Sequence, residues 1–330
     1  FEMSDEETQV VIRRKIDESI VSAFEVLRKR IDKFGVTQPN IQRLGTSGRI
    51  LVELPGAKDV DRVQNLLQST AQLEFWETFK NDNLISFLIQ ADRLVSAQKE
   101  ISKSSDNEEK DSASEIDDLL ADVSAADSLA QPSSNLILDK IVGQGFQGGP
   151  VLAQFAARDG AEIIGYLNQP DVRRLLPSEY RYVRFALGKP DAESDVVELF
   201  ALKSNRDNRA PLSGGVVVDA TQTFDQLGNA AVSMRMDSRG ARIWETMTGK
   251  AFQEASNIAI VLDDIVYSAP GVSSGAISGG RSEITGDFTL NEAIDLANVL
   301  RAGKLPASAE IIQSEIVGPS LGQEAIESGV

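Results

Sequence analysis

The run Gly143-Gln144-Gly145-Phe146-Gln147-Gly148 has the G-x-G-x-x-G spacing of a dinucleotide-binding turn. In that chemistry the glycines let the backbone approach a pyrophosphate, which rests on the N-terminus of the following helix. Leu136 to Val142 reads as the strand before the turn and Val151 to Ala157 as the helix after it, with Glu162 where a ribose-binding carboxylate belongs. Against this, Pro150 follows another glycine, and no series of strand–helix–strand units comes after to build the sheet such a site needs. A flexible glycine-rich connection is the preferred reading. Asp263-Asp264 lies between two apolar strands and has the residue types of a shared-proton pair or a cation site. Adjacent side chains seldom converge, and aspartate tolerates the dihedrals of a tight hairpin turn, which is its expected role. Arg28-Lys29-Arg30 has the charge to attract anionic headgroups. On a helix the three residues spread apart, so a solvated face that complements the helix dipole is expected.

The residues that are missing exclude more. The 330-residue chain contains no Cys and no His. Cysteine and histidine nucleophiles, an imidazole general base and a zinc site of the usual N/S type are therefore ruled out. With 33 Lys+Arg against 50 Asp+Glu the net charge is −17, which repels nucleic-acid backbones. The phosphate-loop pattern G-x-x-x-x-G-K-[ST] does not occur. No catalytic residue, cofactor or metal site is expected, and the chain is read as a non-enzyme. No stretch approaches ~18 consecutive apolar residues, and no signal peptide is visible. The opening Phe1-Glu2-Met3 reads as the start of an excised fragment.

The elements that must position these residues fall into three stretches. Val10 to Gly35 is helical, with Ile16, Ile20, Ala23, Phe24, Leu27 and Ile31 on one stripe. Strands at Asn40–Leu44 and Arg49–Leu54 flank a Gly45–Gly48 turn, Asp59 caps a helix over Val60–Ser69, and Ala71–Phe79 is a third strand. Helix, hairpin, helix, strand lacks one strand of a ferredoxin-like split βαβ layer, and Ala307 to Val317 is the candidate to supply it. Residues 80–212 differ in character. Glu100 to Gln131 carries ten acidic residues against two basic ones and reads as a solvated, flexible segment, with Glu115 to Leu129 able to form a helix if something packs on it. After it come a helical Ile163–Leu176 and a strand pair at Tyr180–Leu187 and Val196–Leu202. From Gly214 the chain predicts strands at Val216–Val218, Ala230–Met236, Asn257–Asp263, Ile265–Ser268 and Arg281–Thr285, with helices over Arg239–Glu254 and Asn291–Arg301 stopped by Gly303.

Two stretches together resemble the SecD family of the bacterial protein-export machinery. The first runs Arg28-Lys29-Arg30-Ile31-Asp32-Lys33-Phe34-Gly35-Val36, Pro39-Asn40-Ile41-Gln42, Gly45, Arg49 to Gly56 and Ala71 to Phe75. The second runs Ile258 to Asp263, Tyr267-Ser268-Ala269-Pro270, Gly279-Gly280, Ile284-Thr285-Gly286, Leu300 to Pro306 and Val317 to Gly322. The resemblance covers roughly residues 10–79 and 214–330; residues 80–212 are read as a lineage insertion. It implies an α+β fold, with a ferredoxin-like split βαβ base (10–79 plus 305–322), an inserted α+β head (80–304) and a lead-in to a membrane span at 323–330. It implies the large periplasmic domain of an inner-membrane subunit, held to the membrane by flanking spans outside this chain. Its implied partners are SecF, the SecYEG channel and unfolded preproteins, drawn outward under the proton-motive force as the head changes orientation. Proton-carrying residues of the family lie in membrane spans and are not in this chain. The expected base–head crossings, and so the hinge candidates, are Phe79 and Lys80 on one strand and Gly303, Leu305 and Pro306 on the other. Val272, Ala276 and Ile277 in the loop Gly271–Gly280 are the candidate preprotein contacts, because a grip on many unrelated chains needs exposed apolar patches or sheet edges. The alternatives are a passive extracytoplasmic scaffold or adaptor, and a nucleotide-binding enzyme using Gly143–Gly148.

Overall fold

The computed structural model of the chain describes residues 5–33, 38–45, 47–57, 59–70, 72–104, 135–191, 193–286, 288–303, 305–306 and 309–315. The helix expected at 115–129, the helix stop at Gly35 and the segment 323–330 lie outside the described residues. The chain divides into two units, residues 1–70 with 305–330 and residues 71–304.

Unit 1 begins with α1 (Asp5–Lys33), whose three acidic residues in the first turn complement the helix dipole. Only its last turns are buried: Val26 and Leu27 pack with Leu305, and Ala23, Ile41, Ile50 and Leu67 lean on them. Strands β1 (Asn40–Leu44) and β2 (Arg49–Glu53) pair antiparallel from Leu44↔Arg49 to Asn40↔Glu53. Their turn needs positive φ at Gly45 (60°) and Gly48 (71°), which glycine adopts without Cβ strain. Helix α2 (Val60–Gln68) starts where Asp59 Oδ1 accepts the Arg62 N–H at 3.1 Å, so the expected cap forms.

Two expectations change in this unit. Arg30 does not belong to a solvated face: Arg28 and Lys29 are exposed, but Arg30 is only 2% exposed. Its Nη1 donates to the carbonyls of Leu66 (2.7 Å) and Ser69 (2.5 Å), which α2 leaves without intrahelical partners. The strand expected at Ala307–Val317 is not formed over residues 309–315, where Gln64 Nε2 reaches the Ser314 hydroxyl at 2.9 Å instead. The third strand of the expected layer, β3 (Leu73–Glu77), belongs to unit 2. Leu73, Phe75 and Trp76 are all buried, so β3 needs apolar cover on both faces, which a two-stranded hairpin cannot provide.

Unit 2 continues with α3 (Ile85–Ser104), β4 (Ile141–Gly143), β5 (Val151–Ala156), α4 (Ala157–Leu167), α5 (Pro170–Arg174), β6 (Arg184–Leu187) and β7 (Val196–Leu202). Then follow β8 (Leu212–Ser213), β9 (Val217–Phe224), β10 (Ala230–Met236), α6 (Ser238–Gln253), β11 (Ile258–Leu262), β12 (Ile265–Ser268), β13 (Arg281–Ile284) and α7 (Leu290–Ala302). The fold is α+β, with small antiparallel sheets ordered β12-β11-β3-β8, β4-β5-β7-β6 and β13-β10-β9. The pair expected at Tyr180–Leu187 with Val196–Leu202 forms with its first strand shortened to Arg184–Leu187, and the strand expected from Val216 runs over Val217–Phe224 and pairs with Ala230–Met236.

The sheet containing β3 is covered on both sides. Leu73, Phe75, Ile258 and Ile260 face one core with Trp244 and Met247 of α6 and Leu296 and Leu300 of α7. Trp76, Ala259 and Val261 face the other way, onto Val151, Ala186, Phe200 and Leu202. The stretch read as an insertion is therefore packed on the back of this sheet, around its own core of α3, α4 and the β5–β7 surfaces. Helices α6 and α7 show their start signals: Asp237 Oδ1 accepts the Gly240 N–H at 2.7 Å, and Thr289 with Glu292 forms a capping box.

The β9–β10 turn is braced by one carboxylate. Asp225 accepts the N–H groups of Asn229 (2.8 Å) and Leu227 (2.9 Å), and the Asn229 side-chain amide at 3.1 Å. These bonds, the Asn229 N–H first, hold its carboxyl below the ordinary aspartate value of 3.8. A depressed pKa means that the brace is complete above that value and is lost as pH falls through the folded one. A carboxyl-carbon NMR titration is expected to place the Asp225 midpoint below 3.8 and to move it upward in Asn229→Ala; a midpoint at or above 3.8 in the unaltered protein contradicts the brace.

Candidate functional site

The glycine loop is held from inside. Val151–Ala156 is a strand, not the expected helix, and β4 and β5 pair antiparallel across the loop. A phosphate therefore finds no helix N-terminus here, and the nucleotide reading loses its anion site. The reason for the strand lies in Val151, Leu152, Ala153 and Phe155, which are buried toward two different cores as only a strand with covered faces allows. The backbone groups of the loop are taken up by Asn81, which is itself buried. Its Nδ2 donates to the carbonyls of Phe146 (2.9 Å) and Val151 (3.1 Å), its Oδ1 accepts the Gly148 N–H (3.0 Å), and its own N–H donates to the Gly149 carbonyl (2.9 Å). Close approach explains Gly145: a Cβ there would lie 2.4 Å from the Val151 carbonyl oxygen. Asn81→Ala removes three side-chain bonds and strands buried carbonyls, so unit 2 is expected to lose about 2–3 kcal/mol in urea denaturation. A loss below about 0.5 kcal/mol would show that water replaces the side chain at little cost.

Asp263 and Asp264 form the expected turn. Both have positive φ, 49° and 69°, as a two-residue hairpin between Leu262 and Ile265 requires. Their carboxylates diverge: Asp263 Oδ1 accepts the Gln72 N–H at 2.9 Å, while Asp264 reaches Arg184 at 2.5 Å. Arg184 also bonds Glu74 at 3.1 Å and lies over the Trp76 ring at 5.2 Å, and Trp76 Nε1 donates to Glu74 at 2.9 Å. This polar knot, buried at Glu74 and Trp76 and exposed at Asp264, ties β6, β3 and the β11–β12 turn together. It has no nucleophile–base pair aimed at a cavity. Among the described residues no group of three or more acidic side chains is placed to hold a metal ion.

Phe79 and Lys80 do not lie at a crossing between units. The boundary falls between Thr70 and Ala71, because Thr78 pairs with Leu202 and the Phe79 N–H donates to the Ala201 carbonyl at 2.8 Å, which extends the β3 line into unit 2. The Phe79 ring meets Tyr180 edge-on at 4.8 Å. Phe79 and Lys80 line a cavity of about 210 Å³ with Tyr180, Lys203, Glu254 and Ser256. Beside it the bond from Lys203 holds the Glu254 carboxyl below the usual range, and the bond to Glu77 raises Lys250. At the return crossing, Gly303 ends α7 with φ 90°, and Leu305 is buried with its N–H donating to the Thr70 carbonyl at 2.9 Å; Pro306 is exposed.

The loop with the candidate contacts is partly anchored. Val272 and Ile277 are half-buried against the α6–α7 core, and the Ile277 N–H donates to Thr248 Oγ1 at 2.8 Å. Ala276 is exposed above Gly249, where a Cβ would come within 3.3 Å of it. No described helix is long and apolar enough to cross a membrane.

Sequence comparisons align this architecture with known proteins. Residues 198–307 match the family model described as SecDF, P1 head subdomain, and residues 20–79 match the one described as protein translocase subunit SecDF, P1 domain, N-terminal; together they cover just over half of the chain. The protein translocase subunit SecD of Rhodothermus marinus is 38% identical over 336 residues, covering 99% of this chain and 51% of the relative. The SecD of Calditerrivibrio nitroreducens is 30% identical over 325 residues, covering 97% and 44%. The chain thus spans about half the length of the curated relatives it matches. Among solved structures, SecDF in a super-membrane-facing form is 25% identical, with a TM-score of 0.48 and coverage of 94% of this chain and 30% of that one.

Proposed function

The chain belongs to the SecD family of protein translocase subunits, and on that premise we propose that it works as the periplasmic region of an inner-membrane export subunit. In this reading it transiently holds preproteins emerging from a SecYEG channel, beside a SecF partner, and releases them as head and base change orientation under the proton-motive force. It makes and breaks no covalent bonds. The observation that carries the reading is the succession of two P1 family models along one chain, within relatives named as translocase subunits over nearly its full length. The exposed Ala276 beside half-buried Val272 and Ile277 suits weak contact without sequence preference.

A photo-crosslinker at position 276, in the full-length protein in its membrane, is expected to trap a stalled export intermediate. With further probes placed on unit 1, trapping of the intermediate from unit 1 positions and not from 276 overturns the assignment to the head. A passive scaffold predicts one fixed distance between labels on the two units; the export reading predicts at least two, resolved by single-molecule energy transfer. Calorimetry with NAD and ATP is expected to show no binding in the micromolar range, and a clear micromolar isotherm overturns the non-enzymatic reading.

A further inference from the structure

The strands at the sheet edges of unit 2 are unequal. Among the described residues, β4, β6, β8, β12 and β13 are two to four residues long, whereas β9, the outer strand of β13-β10-β9, has eight. Shortness is one device that keeps edges from recruiting another strand; lysine or proline on the edge is another. The β9 sequence, Val217-Val218-Asp219-Ala220-Thr221-Gln222-Thr223-Phe224, has neither and is rich in β-branched residues.

Alternation determines which backbone groups face outward. In an antiparallel ladder one residue turns both its N–H and C=O to the neighbour and the next turns both away. Ala220 turns away from β10, since its carbonyl accepts Arg301 Nε at 3.1 Å and also Nη2. Asp225 turns toward the partner, donating to the Asn229 carbonyl at 2.9 Å. Gln222 and Phe224 therefore direct both backbone groups outward, and β9 pairs with no described strand but β10. Arg301, which also meets Asp219 at 3.6 Å, closes the edge at one end only. At the other end stand Phe224, 58% exposed, and Leu227, 87% exposed on the turn braced by Asp225.

We propose that the open edge of β9 from Gln222 to Phe224 takes an extended, unfolded polypeptide segment as an added strand, with Phe224 and Leu227 as an apolar rest for its side chains. This rests on the preprotein reading and names the site of contact within the head. An extended backbone is the occupant that presents donors and acceptors at strand spacing, and main-chain pairing accepts any sequence. A helix or a small molecule offers no such ladder.

The test follows amide exchange in the unaltered chain, with reduced carboxymethylated α-lactalbumin as the unfolded probe. The Gln222 and Phe224 amides are expected to slow about tenfold or more on adding probe, while Thr221 and Thr223, already turned to β10, change little. Gln222→Pro removes one outward donor at an edge position that tolerates proline, and is expected to weaken probe binding about tenfold with an unchanged circular dichroism spectrum. Protection elsewhere in unit 2, with these two amides unaffected, overturns the edge and leaves the preprotein reading standing. No protection anywhere overturns both. Protection that grows with protein concentration without probe identifies a second copy of the chain as the occupant and overturns the proposal. The exchange readout stands even if Gln222→Pro fails to fold.

Discussion

Trp76→Ala is expected to cost unit 2 about 4 kcal/mol, one of the two largest single-residue effects predicted for the chain. Three losses combine in this substitution. The side chain has no exposed surface and fills the layer between the central sheet and Val151, Phe200 and Leu202, so truncation opens a cavity that two sheets cannot easily collapse. The Glu74 carboxylate loses the indole N–H at 2.9 Å while remaining buried, and the Arg184 guanidinium loses the ring beneath it. The readout is favourable. The chain has two tryptophans, both in unit 2, and Trp244 remains in contact with Phe75 at 5.1 Å as a fluorescent reporter in the variant. Urea titration followed at Trp244 is expected to show the shift. Trp76→Phe keeps most of the volume and is expected to lose less than half as much. Equal losses in the two variants would assign the whole effect to the indole N–H and refute the cavity argument.

Trp76 also shows how far the sequence could be read. An apolar run with a single charge, Leu73-Glu74-Phe75-Trp76, predicts a strand, and β3 is there. Nothing local indicates that the charge within it is paired with Arg184, 110 residues away. The same limit explains the other differences. The turn at Asp263-Asp264 and the cap at Asp59 were legible because the residues that decide them are adjacent in sequence. The helix expected at Val151–Ala157 was wrong because a short apolar run is compatible with either state, and only the cores on its two faces choose strand. Asn81 gave no signal, as an asparagine beside a short helical turn is commonplace and its loop partners lie about 65 residues downstream. The open β9 edge was equally hidden: its sequence reads as an ordinary strand, and edge position is a property of sheet order.

Arg30→Ala is expected to destabilise unit 1 by about 3 kcal/mol while leaving the fluorescence transition of unit 2 unchanged. The basis is a charge in an unusual place. Arg30 lies in the last turns of α1, in a stretch whose neighbours Arg28 and Lys29 are solvated, yet its guanidinium is buried and satisfies the end of α2. Truncation strands the Leu66 and Ser69 carbonyls in a small core formed by Val26, Leu27 and Leu305. Leu305 makes the effect reach the return crossing, since its N–H donates to the Thr70 carbonyl just past the α2 terminus. Amide exchange is therefore expected to accelerate both in α2 and at Leu305. Arg30→Lys retains the charge, but its ammonium ends a shorter side chain and does not reach the place from which Nη1 bonds both carbonyls, and it is expected to recover less than half of the loss. Full recovery in the lysine variant would show that net charge at the α1 terminus, and not the paired bonds, holds the unit together. Because unit 1 carries no tryptophan, any change in the fluorescence transition of Arg30→Ala would show that the two units unfold as one.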